Sequence, residues 1–211
     1  MRLFVAALLS PEAVEDLDAF IDPRRSAPGA PRWADPYQWH LTLSFMGSVP
    51  AGRVDGLVER LSTRSPRWSS LTLQVSGGGA FPHVGAAKVL YAGLTAIQVA
   101  SVPANGPVVQ HGVAETGTLA ALARSVRRAC SGAGCDPDGS RFRPHVTLGR
   151  FRPPVEATRW VRLLDTYAGP PFRLRDVALV ESHLGQGAGG HPRHDIVERF
   201  SLAASPTSEP T

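Results

Sequence analysis

Two short strings in the 211-residue sequence carry residues that could do chemistry: His40-Leu41-Thr42-Leu43 and His145-Val146-Thr147-Leu148. On an extended strand, positions i and i+2 project from the same face about 7 Å apart, so each string presents an imidazole beside a hydroxyl. Either pair can grip one oxyanion. A single such string is explained well enough as a strand with a polar outer face. The same string twice, offset by 105 residues, is not explained by solubility alone. If the two strands meet, two imidazoles and two hydroxyls converge on one pocket, which suits in-line displacement at phosphorus. A neutral imidazole would take a proton from attacking water and a protonated one would give a proton to the departing oxygen. Thr42 and Thr147 would meanwhile donate to the non-bridging oxygens. Histidine suits the task because its ordinary pKa, about 6.5, lets one ring be neutral while the other is charged. No metal is required.

Periodicity supplies the elements that must hold these residues. Residues 2 to 8 read as a buried strand, and 11 to 22 as an amphipathic helix with Ser10 as N-cap, Pro11 at its first position and Val14, Leu17 and Ile21 on its apolar face. Residues 38 to 46 alternate, with Trp39, Leu41, Leu43 and Phe45 on one face and His40, Thr42 and Ser44 on the other. A helix over 52 to 63, a strand over 69 to 76, a bend at Gly77 to Gly79 and a strand over 88 to 94 follow. The second half repeats the pattern: a helix over 117 to 130 with Leu119, Leu122 and Val126 on one face, a strand over 142 to 150, a helix over 155 to 166, and strands over 172 to 182 and 194 to 202. Such a duplication packs about a pseudo-twofold axis with equivalent strands facing one another. Residues 95 to 116 interrupt it. No charged residue lies between Lys88 and Glu115, and Asn105-Gly106 favours a tight turn, so a hairpin insertion is expected there. The Ser/Pro/Thr-rich stretch 204–211 reads as a disordered tail after a single two-lobed domain over 1–203.

Composition bounds the class of partner. With 43% hydrophobic and 19% charged residues the chain is globular, and its net charge of +4 suits an anionic ligand. Of the 22 basic residues 21 are arginine, Lys88 being the exception. Cys130 and Cys135 are too few for a disulfide framework and suit reduced thiols in a cytoplasmic protein. The apolar run Leu3 to Leu9 reads as a strand rather than a signal core, and no run reaches the length of a membrane span. A nucleophile elbow and a phosphate-cradling Gly-rich loop with Lys-Ser/Thr are both missing, which argues against a serine hydrolase and an ATP-driven ligase. His183, His191 and His194 do not read as a metal site: Pro192 breaks helical presentation, no carboxylate or cysteine stands at a matching interval, and a Gly-rich surface loop accounts for them. Arg150 falls opposite His145 on an ideal strand, so it reaches a phosphate beside His145 only if the strand ends or bulges. Arg141 and Arg143 read as groove-lining or solvated. Trp33, Trp39 and Phe45 could stack on a base, but Trp39 and Phe45 share the apolar face of their strand, which favours core packing.

The segments Trp39-His40-Leu41-Thr42-Leu43-Ser44-Phe45-Met46-Gly47 and Arg141-Phe142-Arg143-Pro144-His145-Val146-Thr147-Leu148-Gly149-Arg150 resemble those of the two-histidine phosphoesterases, specifically the RNA 2′,3′-cyclic phosphodiesterases also called 2′-5′ RNA ligases. Met1 to Ala6, Gly79-Ala80-Phe81-Pro82 and Val180 to Gly185 are similar to that family as well. The resemblance implies an α+β fold of two pseudo-symmetric lobes, each an antiparallel sheet with outer helices, around a central groove. It implies opening of an RNA or oligonucleotide 2′,3′-cyclic phosphate end to a 2′-phosphate, with His40 as proton donor and His145 as proton acceptor; Thr42, Thr147 and Arg150 are expected, from their own placement, to bind the substrate. Some relatives join RNA ends in the reverse sense. No metal or cofactor is implied, and a monomer is expected. Three features depart from the family pattern: the 95–116 insertion, Gly149 where Ala is common, and His194 in place of a usual aromatic residue. Two other readings compete. One is a non-catalytic RNA- or nucleotide-binding module; the other is an esterase for a small cyclic nucleotide.

Overall fold

The computed structural model describes residues 1–97, 116–187 and 190–203. The buried apolar run at the N-terminus forms β1 (Leu3–Leu8), and Ser10 then opens α1 (Pro11–Ile21), accepting a hydrogen bond from the Ala13 amide at 3.2 Å. The chain continues through β2 (Arg32–Trp33), β3 (His40–Met46), α2 (Val54–Arg64), β4 (Leu71–Phe81) and β5 (Ala87–Ile97). The second half holds α3 (Thr116–Gly132), β6 (His145–Val155), α4 (Thr158–Leu164), β7 (Phe172–Leu174), β8 (Asp176–His183) and β9 (Arg193–Ser201).

The fold is α+β. Rather than two separate sheets, the lobes share one antiparallel sheet in the order β7-β4-β5-β6-β3-β1-β8-β9, with β2 added on β6. Its halves join where the two His-x-Thr strands meet, at the pair Leu41↔Val146. The register shows that the repeat begins one strand earlier than the sequence suggests: β1-α1-β3-α2-β4 matches β5-α3-β6-α4-β8. After each first pair of helices the chain crosses over, so that β4 pairs with β5 and β8 with β1. Each half therefore borrows a strand from the other repeat, which binds the lobes into one unit.

All four helices bury their apolar stripe against one face of this sheet. Ala13, Leu17 and Ile21 of α1, Leu57 and Leu61 of α2, Leu119 and Val126 of α3, and Trp160 and Leu164 of α4 share a core with Leu41, Leu43, Val146 and Leu148. Each fully buried leucine contributes about 1.5–3 kcal/mol. Covering that face leaves His40, Thr42, His145 and Thr147 on the other. Among the described residues no helix is long and apolar enough to cross a membrane.

Several boundaries differ from those expected of the sequence. The triplet Gly77 to Gly79 is not a bend between strands but lies within β4, where the register slips between Val75 and Gly78 and Gly77 takes φ +67°. A Cβ on Gly78 would stand 2.4 Å from Leu164 Cβ, and one on Gly79 2.2 Å from the Tyr91 hydroxyl, so these glycines admit α4 and Tyr91. β6 opens at His145 rather than at residue 142 and runs past Pro153 and Pro154 to Val155, delaying α4 to Thr158. The single strand expected over 172 to 182 is broken at Arg175, because β7 pairs with β4 while β8 pairs with β1, elsewhere in the sheet. Thr95 to Ile97 continue β5 instead of opening an insertion, and Thr116 already belongs to α3. The rest of the expected hairpin, 98–115, and the tail 204–211 lie outside the described residues.

Candidate active site

One irregularity, repeated in both halves, shapes the site. In β3 the partners Val5↔Ser44 and Ala6↔Thr42 leave Leu43 unpaired, and in β6 the partners Leu90↔Gly149 and Tyr91↔Thr147 leave Leu148 unpaired. Each His-x-Thr-Leu string thus ends in a β-bulge at its leucine, and a bulge reverses the alternation of faces beyond it. Ser44 is consequently buried, and Phe45, expected in the core, turns out into the groove. By the same slip Arg150, exposed, reaches the face that carries His145. The bulge condition set by the sequence for Arg150 is met.

His40, Thr42, Phe45, His145, Thr147 and Arg150 all line one groove of about 1070 Å³. Both imidazoles are held in the same way. His40 Nδ1 lies 2.6 Å from the Gln38 carbonyl and His145 Nδ1 lies 2.6 Å from the Arg143 carbonyl, each two residues upstream. A carbonyl can only accept, so each Nδ1 carries the hydrogen and each neutral Nε2 keeps a lone pair. Aromatic walls fix the ring planes. Phe4 stacks on His40 at 4.7 Å between centroids, while Phe81 and Tyr91 meet His145 edge-on at 4.9 and 5.3 Å.

Enclosure changes the charge state expected of the pair. Burial pulls the pKa of His40 from 6.5 down to about 4 against the opposing pull of the Gln38 carbonyl, with His194 and His145 adding repulsion. Burial also lowers His145, again opposed by its backbone carbonyl. In place of one neutral and one charged imidazole, the free groove therefore favours two neutral ones, because desolvation outweighs the gain from each carbonyl. The linkage has a definite sign. An imidazole depressed from 6.5 to about 4 in the folded state stabilises the fold above pH 6.5, and that contribution is lost as pH falls toward 4. Denaturant unfolding at pH 7 and pH 4 should show wild type losing about 3 kcal/mol more than His40→Gln. Equal losses would show that His40 titrates as an ordinary solvated imidazole.

His194 opens the strand expected over 194 to 202 and belongs to β9, opposite Ser182, but rather than lying on a surface loop its ring stands at the groove, edge-on to His40 at 5.3 Å and to Phe4 at 5.1 Å. The pairing of β9 with β8 brings it there, and linear spacing carries no sign of that pairing. Strand pairing also supplies His183 with Asp195 at 3.2 Å, while Glu181, at 3.6 Å, stands two residues upstream on the same strand, an interval that the sequence does show, contrary to the expectation that no carboxylate stands at a matching interval. Arg141 and Arg143 line the groove, Arg143 with its guanidinium 5.9 Å from the Phe81 ring centre. Trp33 packs edge-on against Trp160 at 5.6 Å and donates to the Arg25 carbonyl at 3.1 Å, and Trp39 is in the core, so neither tryptophan faces a ligand.

The family model described as LigT like Phosphoesterase matches residues 9–91 and 112–188. The chain belongs to this family of two-histidine phosphoesterases. Among its relatives, an RNA 2′,3′-cyclic phosphodiesterase of Geobacillus stearothermophilus is 24% identical over 210 residues, covering 96% of this chain. The match spans 58% of that relative's length. One of Archaeoglobus fulgidus is 28% identical over 185 residues, covering 87% of this chain and 92% of its own. A crystal structure from Thermus thermophilus shares the fold with a TM-score of 0.71 at 23% identity, over 97% of this chain and 99% of that one.

Proposed function

We propose that this protein hydrolyses the 2′,3′-cyclic phosphate ends of RNA or oligonucleotides to 2′-phosphates by paired-histidine acid and base catalysis, without a metal ion. The observation that carries this reading is the matched presentation of His40 and His145 in one groove, each with Nδ1 on the carbonyl two residues upstream and Nε2 left for the substrate. Relatives that bear the name RNA 2′,3′-cyclic phosphodiesterase support the choice of substrate.

In this scheme the cyclic phosphate lies between the two rings. Its negative charge favours imidazolium and lifts pKa values that burial has lowered, so the proton needed for catalysis enters together with the substrate. His145 Nε2 takes a proton from water as the water oxygen bonds to phosphorus. His40, protonated, donates from Nε2 to the 3′ oxygen as the P–O3′ bond breaks. The products are a 2′-phosphate and a free 3′-hydroxyl. Thr42, Thr147 and Arg150 donate to the non-bridging oxygens, where charge builds in the transition state. A 5′-hydroxyl in place of water, losing its proton to His145 as the P–O3′ bond breaks and His40 protonates O3′, would give a 2′-5′ linkage instead, although water in excess favours hydrolysis.

Each threonine is one donor among several, so Thr42→Val and Thr147→Val should each lower kcat by about tenfold, less than loss of an acid or base. An effect on either threonine as large as on the histidines would require a different role for the hydroxyl. The reading itself is tested by 31P NMR of a 2′,3′-cyclic phosphate oligonucleotide incubated with enzyme and EDTA. A single 2′-phosphomonoester formed at the rate seen without chelator is the expected result. Loss of turnover in EDTA would contradict a metal-free reaction, and a 3′-phosphate product would reverse the assigned leaving group.

A further inference from the structure

The two halves of the groove match at their centre and differ just beyond it. Phe45 and Arg150 stand at equivalent positions, each two residues past the bulged leucine. On the Phe45 side the wall is aromatic: Phe4, Phe45 and His194 line it, with the Arg2 guanidinium 4.5 Å from the Phe45 ring centre. On the Arg150 side the groove runs into a second hollow of about 250 Å³, lined by Lys88, Arg150, Phe151, Arg152, Pro153 and Pro154. Arg150, Phe151, Arg152 and Pro153 line both cavities, which makes the hollow a continuation of the groove. Lys88 and Arg152 are exposed, and neither forms an ion pair with a carboxylate among the described residues.

We propose that Lys88 and Arg152 form a subsite for the phosphodiester backbone of an RNA strand, on the 5′ side of the nucleotide whose cyclic phosphate lies between the histidines. The proposal rests on the reading given above and extends it from the reacting end to the polymer behind it. A 2′,3′-cyclic phosphate occupies both lower hydroxyls of its ribose, so the strand can continue only through the 5′ oxygen. A base stacks on aromatic rings and a backbone phosphate is held by guanidinium and ammonium groups. The groove offers the first surface on strands β1, β3 and β9 and the second on β5 and β6. The terminal base accordingly lies toward Phe45 and the strand leaves past Arg152 and Lys88.

The test compares a 2′,3′-cyclic mononucleotide with cyclic-phosphate oligomers of increasing length, using wild type and the double variant Lys88→Glu/Arg152→Glu. Wild type should show kcat/KM rising about tenfold or more from mononucleotide to short oligomer, with a salt dependence that steepens by about 0.7 in log–log slope for each phosphate engaged. The variant should lose that gain and that slope while hydrolysing the mononucleotide at a rate within about twofold of wild type. Length-independent kcat/KM in wild type, or a variant equally impaired on both substrates, would overturn the proposal. Should neither substrate be hydrolysed, the reading of the site as a hydrolase fails, and fluorescence anisotropy with a labelled 2′-phosphate oligomer still decides the subsite. About tenfold weaker binding by the variant would support it, and equal binding would overturn it.

Discussion

His40→Ala and His145→Ala should each lower turnover of a 2′,3′-cyclic phosphate end by about 10²–10⁴-fold, the loss typical of removing one general acid or base. The expectation follows from the matched presentation of the two rings, which the other groups assigned to the phosphate do not replace. Thr42 and Thr147 are hydroxyls of high pKa, and the Arg150 guanidinium is a donor with no lone pair to accept a proton. Substrate affinity should change much less than kcat, because the threonines and Arg150 remain to hold the phosphate. Neither replacement opens the core: both rings are half-buried on the groove face, away from the helix-packed layer that contains Leu41 and Val146. Steady-state kinetics on each folded variant provides the check. Hydrolysis close to wild type by either one would remove that residue from the mechanism.

The pH profile should carry the mark of enclosure. Two unperturbed imidazoles acting as acid and base would give kcat/KM a bell centred near pH 6.5. Here burial lowers both groups, His40 to about 4 and His145 in the same direction. The acid must be protonated, so above its depressed pKa the active fraction falls about tenfold per pH unit. The base must be neutral, and its own depressed pKa allows this to persist further into acid. The free-enzyme bell, read from kcat/KM, therefore centres below pH 6.5, with a loss of about thirtyfold between pH 6.5 and 8 on its alkaline side. In the complex the phosphate anion favours imidazolium, which moves the kcat profile to higher pH than the kcat/KM profile. Measuring both profiles on one substrate separates the two effects. Coincident bells centred at 6.5 or above would mean that the rings are solvated rather than enclosed.

The sequence pattern made the centre of the site legible and left its margins obscure, for a physical reason. His40, Thr42, His145 and Thr147 lie before the bulges, where simple alternation holds, and the pattern placed them on one face as the structure has them. Beyond Leu43 and Leu148 alternation fails. Phe45 therefore reads as core when it faces the groove, and Arg150 could be placed only on condition of a bulge. Nothing local in the string announces that slip. The approach of His194 to His40 and of Asp195 to His183 depends on which strands pair, a long-range fact that spacing along the chain does not encode. The glycines 77 to 79 are the converse case: read as chain reversal, they serve close approach of Leu164 and Tyr91 to a continuous strand. The duplication itself was visible, but not that β4 and β8 change halves, because both halves present the same helix and strand periods whichever neighbour they join.

Kinetics of the His40→Ala/His145→Ala double variant beside its two parents tests whether the two imidazoles act on one phosphate. Groups that work as a unit are strongly non-additive, so the double variant should be no more than a few-fold slower than the slower single variant. If the two losses instead multiply to their full product, the rings act independently of each other, and the account of a shared proton relay is wrong.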